Sequence, residues 1–322
     1  MHKPPLPPNM AFKLIKKADN PEVNKEQLFQ ELNARAAVAM QAQVLDNTAA
    51  DVMKVEKMLV YYTINYNFDY VELFVYSIKS LYKHNDNKYE FDVLVITSEE
   101  FIEVLMRRLE EENVRLDNIY FHCVPLAHDG VSASMDKLKV FEWEPINVYA
   151  RVLYLDADII FRKPISLLFQ LQLEPGILHA SVHLLQDHLH TTPYHSIIEY
   201  DLSTMRKFSE NKIHAFNAGQ FMFLNCARMR SHFNNVLWLS TVWDGMFFFE
   251  QAYMNHYFNT LFISDVHVLL DKFKFMAVHL GERAAEVPGI KLEDAVCVHF
   301  AGLACDAAAK KDFIMKHHAD LI

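Results

Sequence analysis

The residues best suited to chemistry are Asp156 and Asp158, which close the run Val152-Leu153-Tyr154-Leu155-Asp156-Ala157-Asp158. Two carboxylates at i and i+2, just as a strand ends, project to the same side. Their mutual repulsion is relieved by a hard divalent cation, for which oxygen ligands are suited. This is the only D-x-D in the chain. The bland alternative is a solvated acidic turn or a helix cap. The apolar strand directly before the pair favours the metal, because it places both acids at the edge of a sheet where ligands bind. A second concentration of candidate ligands is the histidine-bearing stretch with His179, His183, His188, His190, His195 and His214. Its spacings fit no closed zinc site and no cysteine joins it. It reads as a ligand-binding loop, in which His, Asp187 and Tyr194 could bond hydroxyls, or as plain surface loop.

The elements that must position the acids can be traced along the chain. Residues 1–10 are Pro-rich and read as a leader. Residues 24–57 lack Pro at internal positions and Gly throughout, so they should be helical, as an appendage or a dimerisation helix. Strands are predicted at Met58–Ile64, Phe91–Ile96, Asn118–Val124 and Arg151–Leu155. Helices are predicted at Tyr70–Tyr82, Glu99–Glu111 and Lys137–Trp143. This alternation implies a mostly parallel sheet with both faces covered. Thr63 and Asp156 fall at strand ends on its ligand side. Later come a strand at Gln220–Asn225, helices at Ala227–Val242 and Glu250–Asn259, and a strand at Ala295–Phe300.

Composition narrows the function classes. Hydrophobic residues make up 52 % of the 322 and charged residues 22 %, a folded-protein balance. The formal net charge is −10 and no basic face is visible, so nucleic acid is excluded as a partner. Cys123, Cys226, Cys297 and Cys305 form no C-x-x-C pair and read as reduced thiols of a cytoplasmic protein. No secretory signal and no membrane span are expected.

The segment Lys137–Ile160 (KLKVFEWEPINVYARVLYLDADII) resembles the donor site of glycosyltransferase family 8. Other segments match in the family's order. Thr63–Leu81 (TINYNFDYVELFVYSIKSL) is similar to its first strand and helix. Phe216-Asn217-Ala218-Gly219 resembles its F-N-[SA]-G, and Glu250-Gln251-Ala252-Tyr253-Met254-Asn255 its D-Q-x-x-x-N. His299-Phe300-Ala301-Gly302 resembles its H-F-x-G.

The resemblance implies an α/β, GT-A-like (Rossmann-like) single domain over residues 58–303, with a nucleotide-sugar half (58–165) and an acceptor half (166–303). A leader and helical extension (1–57) and a tail (304–322) would flank it. It also implies a retaining, Mn²⁺- or Mg²⁺-dependent transfer from a UDP-sugar to a carbohydrate, small polyol or protein acceptor. His299 becomes the third metal ligand beside Asp156 and Asp158. Tyr70 would lie against the uracil, with Thr63, Asn65 and Asn67 near base or ribose. Lys137, with Lys139 as competitor, would approach the phosphates or sugar. Ala157 and Gly302 belong to the donor-site motifs, and Asn217, Gly219 and Gln251 to the sugar pocket.

Two departures stand out. Glu250 replaces the family's usual Asp, which leaves the role of that acid open; retention implies either front-side attack or a covalent intermediate at Glu250 or Gln251. The lysine that follows H-F-x-G in the family is missing, and Cys305 and Asp306 stand in its neighbourhood. Lys310 or Lys311, one helical turn on, is expected to supply part of its contact, with Arg162 as a further substitute. The alternatives are a catalytically degenerate sugar- or nucleotide-binding scaffold and a metal-dependent nucleotidyltransferase. The latter should carry a Gly-rich basic loop after its first strand, where this chain has TINYNFDY.

Overall fold

The structure is a computed structural model and describes residues 57–88, 90–182, 206, 210, 213–242, 250–281, 289–301 and 306–322. The predicted helical extension, most of the histidine-bearing stretch and Gly302 lie outside these residues. The first half alternates as expected: β1 (Met58–Thr63), α1 (Asp69–Lys83), β2 (Phe91–Thr97), α2 (Glu99–Glu111) and β3 (Ile119–Cys123). There follow α3 (Gly130–Met135), 3-10 turns over Asp136–Glu142 and Glu144–Val148, β4 (Arg151–Leu155), β5 (Ile159–Phe161) and α4 (Ser166–Phe169). The second half contains β6 (Leu178–Val182), β7 (Phe216–Leu224), α5 (Ala227–Val242), α6 (Glu250–Thr260), β8 (Ser264–Asp265), β9 (Phe273–Ala277), β10 (Cys297–Ala301) and α7 (Ala307–His317).

Seven strands form the main sheet in the order β3-β2-β1-β4-β7-β6-β8. Strands β3, β2, β1 and β4 are parallel, and β7 runs antiparallel between β4 and β6. Alternate residues of one strand feed opposite cores, which is why the strands read as continuous apolar runs. Met58, Val60 and Tyr62 join the core under α1, α2 and α7. Leu59 and Tyr61 join the core under α5, α6 and the 3-10 turns.

The helix expected at Lys137–Trp143 is a 3-10 helix over Asp136–Glu142. Two expectations need correction. Strand β7 begins at Phe216, four residues before the predicted start, so F-N-A-G lies inside the sheet. The Asn255 side chain permits this by pairing with both backbone groups of Phe216, at 2.9 Å each. Residues 306–322, read as a tail, are built into the core through Ala307, Ile314 and Leu321. Strand β6 escaped prediction because its polar residues are buried against partners. His179 Nδ1 contacts Asp265 at 2.9 Å while its Nε2 accepts from the Glu174 N–H at 3.0 Å, so this histidine is structural.

A small second sheet, β5-β10-β9, carries the decisive long-range contact. Strand β10 pairs antiparallel with β5 in the register His299↔Ile159. That register sets His299 next to the turn containing both acids.

Two buried histidines in α5 and α6 give a pH prediction. Burial, with Arg228 nearby, pushes His232 down to about 4, and burial pushes His256 down to about 4. Both are depressed below their unfolded values. Their neutral forms therefore contribute stability above about pH 6.5 that is lost as pH falls toward 4. Chemical unfolding at pH 7 and pH 5 should show a loss on the order of 2 kcal/mol per histidine. A pH-independent midpoint would contradict this burial.

Candidate active site

The Asp156-Ala157-Asp158 turn joins β4 to β5, and both its neighbours hold it. Asp156 N–H donates to Gly219 O at 2.7 Å, and Phe300 N–H donates to Asp158 O at 3.0 Å. One ligand atom each from Asp156, Asp158 and His299 lies within 4.8 Å of the others. His299 Nε2 is 3.3 Å from Asp158 Oδ1 and 4.0 Å from Asp156 Oδ2. Asp158 Oδ1 and His299 Nδ1 are buried without a hydrogen-bond partner among the described residues. Two carboxylates and an imidazole converging in this way form a donor set that fits Mn²⁺ or Mg²⁺.

Gly219 makes the convergence possible. A Cβ there would stand 2.6 Å from Asp156 Oδ2, 2.6 Å from His299 Cε1 and 2.7 Å from Asn217 Oδ1.

Asp156 is divided between two tasks. Its Oδ1 accepts from Tyr154 OH at 2.6 Å and faces Lys137 Nζ at 3.4 Å, while its Oδ2 is turned toward His299. Tyr154 OH in turn accepts from Thr63 Oγ1 at 3.2 Å. Thr63, expected near the base or ribose, thus braces the tyrosine that braces Asp156. Tyr154 was not anticipated. The signal was its position two residues before Asp156, on the same face of the strand.

Lys137 is buried in the cavity floor. Its ammonium donates to Glu250 Oε1 at 2.5 Å and Ala218 O at 3.1 Å and sits 4.4 Å from the centre of the Tyr154 ring. Burial opposes its charge, but Asp156 and Glu250 outweigh that and hold it above the ordinary lysine range. Burial lifts the Glu250 carboxyl, with Lys137 pulling the other way. Lys139 is bound to Asp136 at 2.6 Å instead and does not enter the cavity lining.

Lys310 reaches in from α7 and contacts Asp158 Oδ2 at 2.6 Å, 5.7 Å from the Tyr70 ring centre. Burial works against the Asp158 charge, and Lys310 and His299 overcome it, holding its carboxyl well below the usual range.

These groups open on a cavity of about 440 Å³. Its lining includes Thr63, Asn67, Tyr70, Lys137, Asp156, Ala157, Asp158, Glu250 and Lys310, together with Gly130, Ala133 and Ser134 of α3. The two sides of the D-Q pair part company here. Glu250 lines the cavity, whereas Gln251 lies behind it, with Oε1 accepting the Ala218 N–H at 2.9 Å. Asn217 Oδ1 likewise accepts the Gly219 N–H at 2.7 Å. Gln251 and Asn217 shape the strand edge that presents Gly219, and neither is part of the cavity lining.

The Lys137–Glu250 pair yields a prediction. Lys137→Met would leave the buried Glu250 carboxylate without its cation, a defect that costs about 3–5 kcal/mol, while the part-exposed Asp156 adds less. A thermal unfolding comparison checks it, and Lys137→Met combined with Glu250→Gln should recover part of the loss. No difference between single and double variants would show that the two residues are not coupled.

The chain matches the family model described as glycosyl transferase family 8 over residues 62–304, more than half of its length. A comparison with curated protein sequences gave no match. Among solved structures, it is similar to the galactosyltransferase LgtC in complex with donor and acceptor sugar analogs. That likeness has 20 % identity and a TM-score of 0.54, and covers 80 % of this chain and 94 % of LgtC. It also resembles the bifunctional glycosyltransferase WbbM, at 11 % identity and a TM-score of 0.52, over 78 % of this chain and 46 % of WbbM. At these identities the structural likeness establishes the fold, which is GT-A. Together with the family match over the segment that carries the acids, it shows that this glycosyltransferase belongs to glycosyltransferase family 8.

Proposed function

We propose that the protein transfers a sugar from a UDP-sugar to an acceptor hydroxyl with retention of configuration, using Mn²⁺ or Mg²⁺ held by Asp156, Asp158 and His299. The observation that carries this reading is that Asp156 and Asp158, on which His299 converges, line one cavity together with two buried lysines and Tyr70. A bound dication supplies electrostatic stabilisation of the departing diphosphate.

The chain's own residues supply the rest. Tyr70 offers a ring face for the base, and Asn67 and Ala157 line the same cavity. Lys137 holds Asp156 and Glu250 in place and presents positive charge to the donor. Lys310 takes the place of the family's missing lysine toward the phosphates. Glu250, and not the withdrawn Gln251, is the carboxylate that faces the donor sugar, which favours it as the group stabilising positive charge at the reacting carbon. A buried lysine beside the acids, on the same cavity, favours an active transferase over a degenerate scaffold. The acceptor is a hydroxyl compound that enters from the half beyond β5.

Calorimetry with free nucleotides in the presence of Mn²⁺ tests the donor assignment. UDP should bind more tightly than ADP or GDP, and Tyr70→Ala should weaken UDP by about 1–3 kcal/mol if the ring stacks on uracil. Equal affinity for purine and uridine nucleotides would overturn it.

A further inference from the structure

The Asp158 carboxylate is claimed from two sides. Its Oδ1 faces His299 Nε2 at 3.3 Å, and its Oδ2 is held by the Lys310 ammonium at 2.6 Å. Both side chains of the lysine pair are almost wholly buried, at 8 % and 4 % exposure, so solvent screens little of the charge. Asp156 is shared as well: its Oδ1 is committed to Tyr154 and Lys137, which leaves only Oδ2, on the His299 side, for a metal. Any dication at the triad must therefore share one buried carboxylate with an ammonium of the same sign.

Resting on the metal-and-donor reading proposed above, we infer that Lys310 is a resident counter-cation that couples metal binding to nucleotide binding. Seated on Asp158, it neutralises that ligand and repels a dication, so metal alone binds weakly. A diphosphate entering the cavity offers Lys310 a second seat. The residue already lines that cavity beside Tyr70, and its flexible stem lets the ammonium move while α7 stays in place. Moving from carboxylate to diphosphate frees Asp158 for the metal and adds a charge-assisted contact to the donor. Metal and nucleotide then favour each other reciprocally, as linkage requires. The seat belongs to α7, whose Ala307 and Ile314 are core residues, so the device is part of the fold.

The coupling predicts an unusual sign: removing a positive side chain strengthens metal binding and weakens nucleotide binding. The test is Mn²⁺ titration of the full chain, followed by electron paramagnetic resonance of free Mn²⁺, with and without UDP. Wild type should bind Mn²⁺ alone weakly and gain about tenfold or more in affinity with UDP, the scale set by repulsion between close buried charges. Lys310→Met should bind Mn²⁺ alone about tenfold more tightly than wild type and show little further gain. Lys310→Arg, which keeps the charge, should behave as wild type.

Lys310→Met binding Mn²⁺ alone no more tightly than wild type would overturn the inference. So would a Lys310→Arg variant that matches Lys310→Met. If Lys310→Met does not fold, wild type decides: Mn²⁺ affinity must rise with inorganic pyrophosphate but not with uridine, and no rise overturns the coupling. Absence of Mn²⁺ binding in every variant, UDP included, would instead remove the metal reading beneath it.

Discussion

Asp156→Asn is expected to lower metal-supported turnover by about 10²–10³-fold, the loss that follows removal of one electrostatic stabiliser of a transition state. Among the three ligands this substitution is the cleanest. Asp158→Asn would also strand the Lys310 ammonium, and His299 is packed edge-on against Phe275. Asp156 has the most exposed carboxylate of the triad, at 35 %, and asparagine preserves its shape and its contact with Tyr154. Thermal unfolding should therefore move little while donor turnover collapses. Activity within a few-fold of wild type, in a variant shown to be folded, would mean that the acid is not a ligand.

Gly219→Ala is the second large effect, and its loss should fall on the site and spare the fold. The added methyl would overlap Asp156 Oδ2, His299 Cε1 and Asn217 Oδ1, all ends of side chains that can swing aside. Two of the three belong to the proposed metal ligands Asp156 and His299, so relieving the clash spreads the triad. A misplacement of about an ångström costs on the order of 10²-fold in rate. Mn²⁺ affinity in the presence of UDP and turnover should fall together, with a melting temperature close to wild type. Unchanged metal affinity would show that the triad in solution is wider than the structure has it.

The sequence made the first half of the sheet legible because local chemistry and global fold agree there. Apolar runs such as Met58–Thr63 and Arg151–Leu155 are buried on both faces, and α2 and α5 have their predicted bounds. Asp156 and Asp158 could be read as a pair because they sit on one short segment. His299 could not be joined to them by spacing. Its place depends on the β5–β10 register, a long-range pairing invisible in the sequence; the resemblance pointed to His299 itself, not to the pairing.

Residues that hold other residues were the least visible. Tyr154 and the Asn255 amide act on a carboxylate oxygen and on backbone, and nothing in composition marks them. Lys310 was foreseen only as one of two lysines after a missing one. What separates it from Lys311 is helical phase: α7 turns Lys310 inward to Asp158, while Lys311 is only partly buried. Gln251 shows the converse. Its motif pointed to the sugar, and the structure ties its oxygen to the Ala218 backbone.

The central claim is that the triad serves transfer from a uridine diphosphate sugar. It is tested most directly by measuring UDP release from a panel of UDP-sugars, with Mn²⁺, with EDTA, and with the Asp156→Asn variant. At least one UDP-sugar should release UDP at a rate that rises with Mn²⁺ and falls to background in both controls. Release from none of them, or release that persists equally in EDTA, would contradict the account.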